Sequence, residues 1–153
     1  MDIKDKWIYL AGPLFTAAER HFNEALAQYI EQAGFAVYLP QKECLGITKA
    51  NDIFHRCIKG LDNAWCVVAV LDGPDADSGT CFEVGYAYSK NIPVIGVRTD
   101  FRKSADDGHL NLMLSQSIVA LCFVSSLESI SIEEIGYKLK EEINSLLIKV
   151  IKK

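Results

Sequence analysis

Four carboxylates fall close together in one stretch of the chain: Asp72, Asp75, Asp77 and Glu83. The apolar run Trp65–Leu71 precedes them and breaks at an Asp-Gly-Pro cluster, and a turn of small residues follows at Asp77-Ser-Gly-Thr80. Beyond it, Phe82, Gly85, Tyr86 and Ser89 recur every three or four residues, the spacing of a helix face. Strand, tight loop and helix start is the place where a parallel α/β sheet offers a ligand site. So many acids do not suit a phosphate cradle, and the pattern points to carboxylate chemistry on a small molecule.

Each of these residues has two readings. Thr80-Cys-Phe-Glu83 matches a capping box, in which Glu83 only satisfies a backbone donor at the helix start. A carboxylate in a first helical turn is also held ionised by the helix dipole, and aimed into a pocket it can attack an electrophilic carbon. Asp72 and Asp77 suit strand-end turns, or ligation of Mg²⁺. The loop lacks a partner histidine, and no metal site is expected. Gly79 and Gly85 permit a turn and close packing, Tyr9 belongs to a strand core, and Asn111-Leu-Met113 reads as a turn. His21, His55 and His109 stand singly and are read as solvated.

Composition narrows the classes. With 153 residues, half of them apolar, the chain can bury one full core, and a single domain over 1–153 is expected. A formal charge of −4 argues against a nucleic-acid partner. Five scattered cysteines without a CxxC pair indicate reduced thiols in a cytoplasmic protein. The charged N-terminus does not read as a signal peptide, and no apolar run approaches membrane-spanning length.

The elements that must position the acids alternate. Strands are expected at Trp7–Ala11, Phe35–Leu39, Trp65–Leu71, Ile92–Val97 and Ile118–Val124. Helices are expected from Thr16 to Gly34, over Asp52–Asn63 and Thr80–Lys90, and from a capping box at Ser131 to about Ile151. Lys42–Thr48 reads as irregular, and Arg98–His109 as a polar loop or lid. Strands apolar throughout and alternating with helices predict an α/β, doubly wound, flavodoxin- or Rossmann-like sheet of five parallel strands in the order 2-1-3-4-5, helices on both faces. The switch point then brings the Ala11–Phe15 loop beside the acidic loop.

Three segments carry a resemblance. Ile8-Tyr-Leu-Ala-Gly-Pro-Leu-Phe15, Asp77-Ser-Gly-Thr-Cys-Phe-Glu-Val-Gly-Tyr-Ala87 and Asn111-Leu-Met113 resemble the nucleoside 2′-deoxyribosyltransferase family, in order and over nearly the whole chain. The D-S-G-T-x-x-E-x-G-x-A block is the specific part. The resemblance implies cleavage of an N-glycosidic bond by a glutamate nucleophile, a covalent 2-deoxyribosyl-enzyme, and transfer of the sugar to a second nucleobase, as in base salvage. It places the nucleophile at Glu83, substrate contact and proton transfer at Asp77, and a positioning hydroxyl at Tyr9. Phe15 would wall the base, Gly79 falls in the substrate-binding block, and Asn111 and Met113 would be lent by a neighbouring subunit of a homo-oligomer with shared sites. Nucleosides and nucleobases are the implied partners, and no metal or organic cofactor is implied.

Two departures stand out. The chain ends Lys-Val-Ile-Lys-Lys153 where some members end in tyrosine, and Cys57 takes a place where relatives present Asp or Asn to the base. Asp100 and Arg102 match a subset of the family, with a lid salt bridge as the plain alternative. A nucleoside or nucleotide N-glycosidase on the same scaffold is the near alternative, and a non-catalytic nucleoside-binding domain the one from another class. Gly12-Pro13-Leu14-Phe15 is poorly supplied to hold a 5′-phosphate, which favours a free 5′-hydroxyl.

Overall fold

A computed structural model describes residues 5–102, 110–127 and 131–151. Strand β3 (Ala64–Val70) runs through the centre and is buried along its whole length, as its valines and Trp65 require. Beside it lie β1 (Trp7–Ala11) and then β2 (Val37–Tyr38) on one flank, and β4 (Val94–Arg98) and β5 (Ala120–Phe123) on the other. All four pairings are parallel, and the order is β2-β1-β3-β4-β5, as the sequence predicts.

Alternation along the strands sorts the core into two halves. Ile8, Leu10, Val68 and Val70 face one side, where α1 (Ala17–Gln32) contributes Leu26, Ala27 and Ile30 and α6 (Ile132–Ile151) contributes Ile135, Leu139 and Ile143. Tyr9, Ala11, Val67 and Ala69 face the other, against Leu61 of α3 (Ala50–Asp62) and Val84 and Ala87 of α4 (Ser78–Ser89). Tyr9 therefore points towards α4 because of its parity in β1.

The helices start where capping chemistry allows. Thr16 and Glu19 form a reciprocal capping box at α1. At α6, Ser131 accepts from Glu134 N. Pro40 does more than end β2: it occupies the first turn of a short helix, α2 (Pro40–Glu43), within the stretch predicted irregular from Lys42. A second short helix, α5 (Leu112–Ser117), takes the place of the turn expected at Asn111–Met113, with Asn111 as its cap. No helix among the described residues is long and apolar enough to cross a membrane.

Candidate active site

The acidic loop between β3 and α4 is held from below by β4. Asp72 accepts from Thr99 N and Thr99 Oγ1, both at 2.6 Å, and from Asp100 N at 2.9 Å. Gly73, at φ +111°, turns the chain so tightly that a Cβ there would sit 2.8 Å from the Asp75 carbonyl. Its amide donates to Asp100 Oδ2. Arg98 is 1% exposed and donates to the carbonyls of Leu71, Gly73 and Arg102. The expectation that Arg98 opens a polar lid is thus corrected: it ends β4 and braces the loop from inside, while 103–109, with His109, lie outside the described residues. Asp100 and Arg102 form the ion pair, which holds the Asp100 carboxyl well below its ordinary range, the hydrogen bond from Arg102 acting first. Asp72 and Asp100 are loop fasteners, and among the described residues no group of three or more His, Cys, Asp or Glu converges as metal ligands.

The start of α4 corrects the sequence reading of Glu83. Asp77, and not Thr80, is the N-cap: its Oδ2 accepts from Thr80 N at 2.9 Å and Thr80 Oγ1 at 3.1 Å. Moving the start three residues back carries Glu83 into the second turn, where it caps nothing. Its Oε1 accepts instead from the Tyr9 hydroxyl at 2.5 Å, across 74 residues of sequence. The expectation that a helix dipole keeps it ionised also fails. Burial pushes the Glu83 carboxyl up to about 7, against the lowering effect of the Tyr9 hydrogen bond and with the Asp77 charge adding to the rise. Glu83 lies in the second turn of α4, beyond the dipole's reach of about one turn. Burial, and then the Glu83 charge, keep Tyr9 firmly protonated, so it is a donor.

Aromatic packing fixes Tyr9 from behind. Its ring stacks on Tyr38, centroids 5.3 Å apart and 11° from parallel. Tyr38 in turn lies on Gly60, where a Cβ would come within 2.6 Å of the ring. Its hydroxyl donates to the Arg56 carbonyl at 2.9 Å. Cys57, from the same helix, lies near enough to the Tyr9 hydroxyl to add a smaller electrostatic push to it. Tyr38 was no part of the sequence expectation, since nothing local to Val37–Tyr38 signals that its ring lies against Tyr9.

The structure thus joins Glu83 to Tyr9, with the Asp77 charge near enough to raise the Glu83 carboxyl and Gly79 beside Asp77: a Cβ at Gly79 would lie 3.1 Å from Asp77 Oδ2. It does not bring the other expected residues to them. Phe15 is 77% exposed. Asn111 and Met113 line a cavity of about 490 Å³ with Asp75, Cys81, Gly85 and Tyr88. Those α4 positions lie roughly 140–160° around the helix from Glu83, and Val84, which also lines the cavity, about 100°, so the cavity faces away from Glu83 within one chain. Phe54 and Phe82, 6.0 Å apart, are both half exposed on the surface of α3 and α4, and Phe82 adjoins Glu83 in sequence. His21 and His55 are exposed, and His55 bonds only to the Asn51 carbonyl.

The fold recurs in known structures. A conserved protein from Enterococcus faecalis V583 is 29% identical, covering 90% of this chain and 98% of that one, with a TM-score of 0.68. A 2-deoxyribosyltransferase from Bacillus psychrosaccharolyticus is 22% identical over 84% of this chain and 89% of its own, with a TM-score of 0.63. A CMP N-glycosidase from Clostridium botulinum shares the fold at 16% identity, 91% and 99% coverage and a TM-score of 0.61. Among curated proteins, none matches the sequence. Residues 8–139, which include most of β1, the acidic loop and all of α4, match the nucleoside 2-deoxyribosyltransferase family. With that match spanning Tyr9, Asp77 and Glu83 in the order in which the fold assembles them, the chain belongs to the nucleoside 2-deoxyribosyltransferase family.

Proposed function

We propose that this protein moves a 2-deoxyribosyl group from a 2′-deoxynucleoside to an acceptor nucleobase through a glycosyl ester on Glu83. The observation that carries the reading is the 2.5 Å hydrogen bond from Tyr9 to Glu83, whose carboxyl titrates at about 7. Tyr9 takes Oε1, which leaves Oε2 as the attacking atom. As Oε2 bonds to C1′, the C1′–N bond breaks and its electrons go to the base nitrogen, which needs a proton. Asp77 spends Oδ2 on Thr80, and Oδ1 is the atom that relays that proton. The acceptor base reverses the steps, giving net retention at C1′. Positive charge developing on the sugar is stabilised by the ionised form of Glu83. The steps as written use no metal or organic cofactor.

The site is completed, in this reading, by a second copy of the chain. Asn111 and Met113 lie on the wrong side of α4 to reach Glu83 in their own subunit, and Met113 is 73% exposed. The exposed Phe54 and Phe82, the second of them next to Glu83 in sequence, form an apolar surface suited to an interface.

The N-glycosidase reading differs only in its second step, where water takes the sugar, and the fold shared with a CMP N-glycosidase keeps it in play. One assay separates the readings: incubation with deoxyinosine, with and without adenine. Transfer gives new deoxyadenosine, and without adenine a burst of about one hypoxanthine per site followed by slow release. Hypoxanthine at a steady rate, with no deoxyadenosine under excess adenine, makes the protein a hydrolase. Unchanged deoxyinosine leaves a nucleoside-binding domain.

A further inference from the structure

Behind Tyr9 lies a pair of sulfurs. Cys57 stands in the middle of α3, against the Tyr9 hydroxyl, and Cys44 caps the end of α2. Their Sγ atoms are 3.9 Å apart, which is van der Waals contact, and both residues are half-buried, within reach of a small reagent. A disulfide requires closure by roughly 2 Å. The Cys44 side can supply that movement, since it closes a four-residue helix and leads into a loop through Gly46 at φ +81°. The Cys57 side is held, because Trp7 Nε1 donates to the Gly60 carbonyl and Tyr38 to the Arg56 carbonyl.

We propose that Cys44 and Cys57 form a reversible modification site, which a hydroperoxide oxidises to a disulfide that re-aims the Cys57 sulfur behind Tyr9, its helix staying in place, and slows turnover. The chemistry balances in two steps. One thiol takes the terminal oxygen of the hydroperoxide, giving a sulfenic acid and the alcohol (water, for hydrogen peroxide). The second thiol displaces that oxygen as water and forms the S–S bond. Two thiols lose two electrons in all, and the O–O bond gains them. Burial, with the neighbouring Cys44 charge next, pushes the Cys57 thiol up to about 12, which makes Cys57 a slow nucleophile in either step. Cys66 and Cys122 are buried in the sheet and take no part.

The effect on turnover rests on the function proposed above, whereas formation of the disulfide does not. The experiment treats the reduced full-length protein with a few equivalents of hydrogen peroxide, alkylates the remaining thiols, and maps the peptides by mass. Base release from deoxyinosine is followed in parallel. The expected result is a Cys44–Cys57 disulfide peptide, turnover lower by several-fold, and recovery with dithiothreitol. Cys44→Ser, with thermal unfolding matched to the parent, should keep its turnover through the same treatment. Absence of that peptide overturns the site. A disulfide with unchanged turnover, or equal loss in Cys44→Ser, overturns the brake. If even the reduced protein releases no base, the functional reading fails while the peptide still supports the thiol site.

Discussion

At Glu83 two demands of the proposed mechanism conflict: an attacking carboxylate must carry a charge, and the fold has buried this one. A carboxyl titrating at about 7 is half ionised near neutrality, so kcat/KM should rise with pH to half its plateau near that value. The neighbours move this limb in opposite directions. The Tyr9 hydrogen bond lowers the Glu83 value, so Tyr9→Phe should carry the limb to higher pH. The Asp77 charge raises it, so Asp77→Asn should carry it to lower pH, whatever happens to the maximal rate. Limbs that move together, or stay still, would show that another group controls the profile. The same burial makes a stability statement. The folded value exceeds the ordinary 4.5 of an unfolded chain, so this contribution is fully present below about 4.5 and is lost as pH rises through about 7. Ionised Glu83 then costs on the order of 3 kcal/mol. Glu83→Gln, always neutral, should abolish base release yet unfold several degrees above the parent at pH 8, the gain vanishing near pH 4.5. Because Glu83 caps nothing, the loss of activity carries no folding penalty; a Gln variant that still cleaves would remove Glu83 from the nucleophile role.

The elements reach the site through one another, and here sequence and structure part company. The turn at Asp77–Thr80 offers two caps, and a pattern search favours Thr80 because Glu83 completes its box. Asp77 prevails because it satisfies both the amide and the hydroxyl of Thr80, and a three-residue shift converts a cap into a buried carboxylate. α5 stayed invisible because Leu112, Met113 and Leu114 are consecutive and show no helical period. The support behind Tyr9 was invisible for another reason. Tyr38 and Gly60 are 22 residues apart, and only the packing of α3 on the sheet edge puts ring against backbone. That support is testable. Gly60→Ala would push a methyl into the Tyr38 ring, and overpacking of this kind costs about 1–3 kcal/mol. The stack on Tyr9 must shift with it, so turnover should fall together with stability. Ala at Gly85, where a Cβ would meet nothing within 4 Å, should be nearly neutral for folding. Thermal unfolding and base release measured on both variants decide this, and equal effects would remove the Tyr38 buttress from the argument.

For the whole molecule, strand order was legible because it follows from few physical facts: β3 is apolar throughout, helices separate the strands, and crossovers are right-handed. That order alone puts the ends of β1 and β3 side by side, and with them the Ala11–Phe15 loop and the acidic loop, whereas the pairing of Tyr9 with Glu83 was implied by the family resemblance. What one chain's topology does not carry is any contact between chains. Asn111 and Met113 line a cavity whose α4 residues are turned away from the Glu83 side, and Phe15, Phe54 and Phe82 present apolar surface to solvent. A site needing both faces of α4 must take one of them from another copy. Specific activity should therefore fall on dilution as the assembly dissociates, with sedimentation reporting the loss over the same concentrations. Mixing tests the sharing itself. Glu83→Ala lacks the nucleophile but supplies an intact Asn111, and Asn111→Ala does the reverse. Each alone should be inactive, and hybrids formed by dissociation and reassembly should regain activity, up to about a quarter of the parent sites in a random two-subunit mixture. A monomer with undiminished activity, or hybrids that stay inactive although mass spectrometry shows mixed assemblies, would return Asn111 and Met113 to a role within their own subunit.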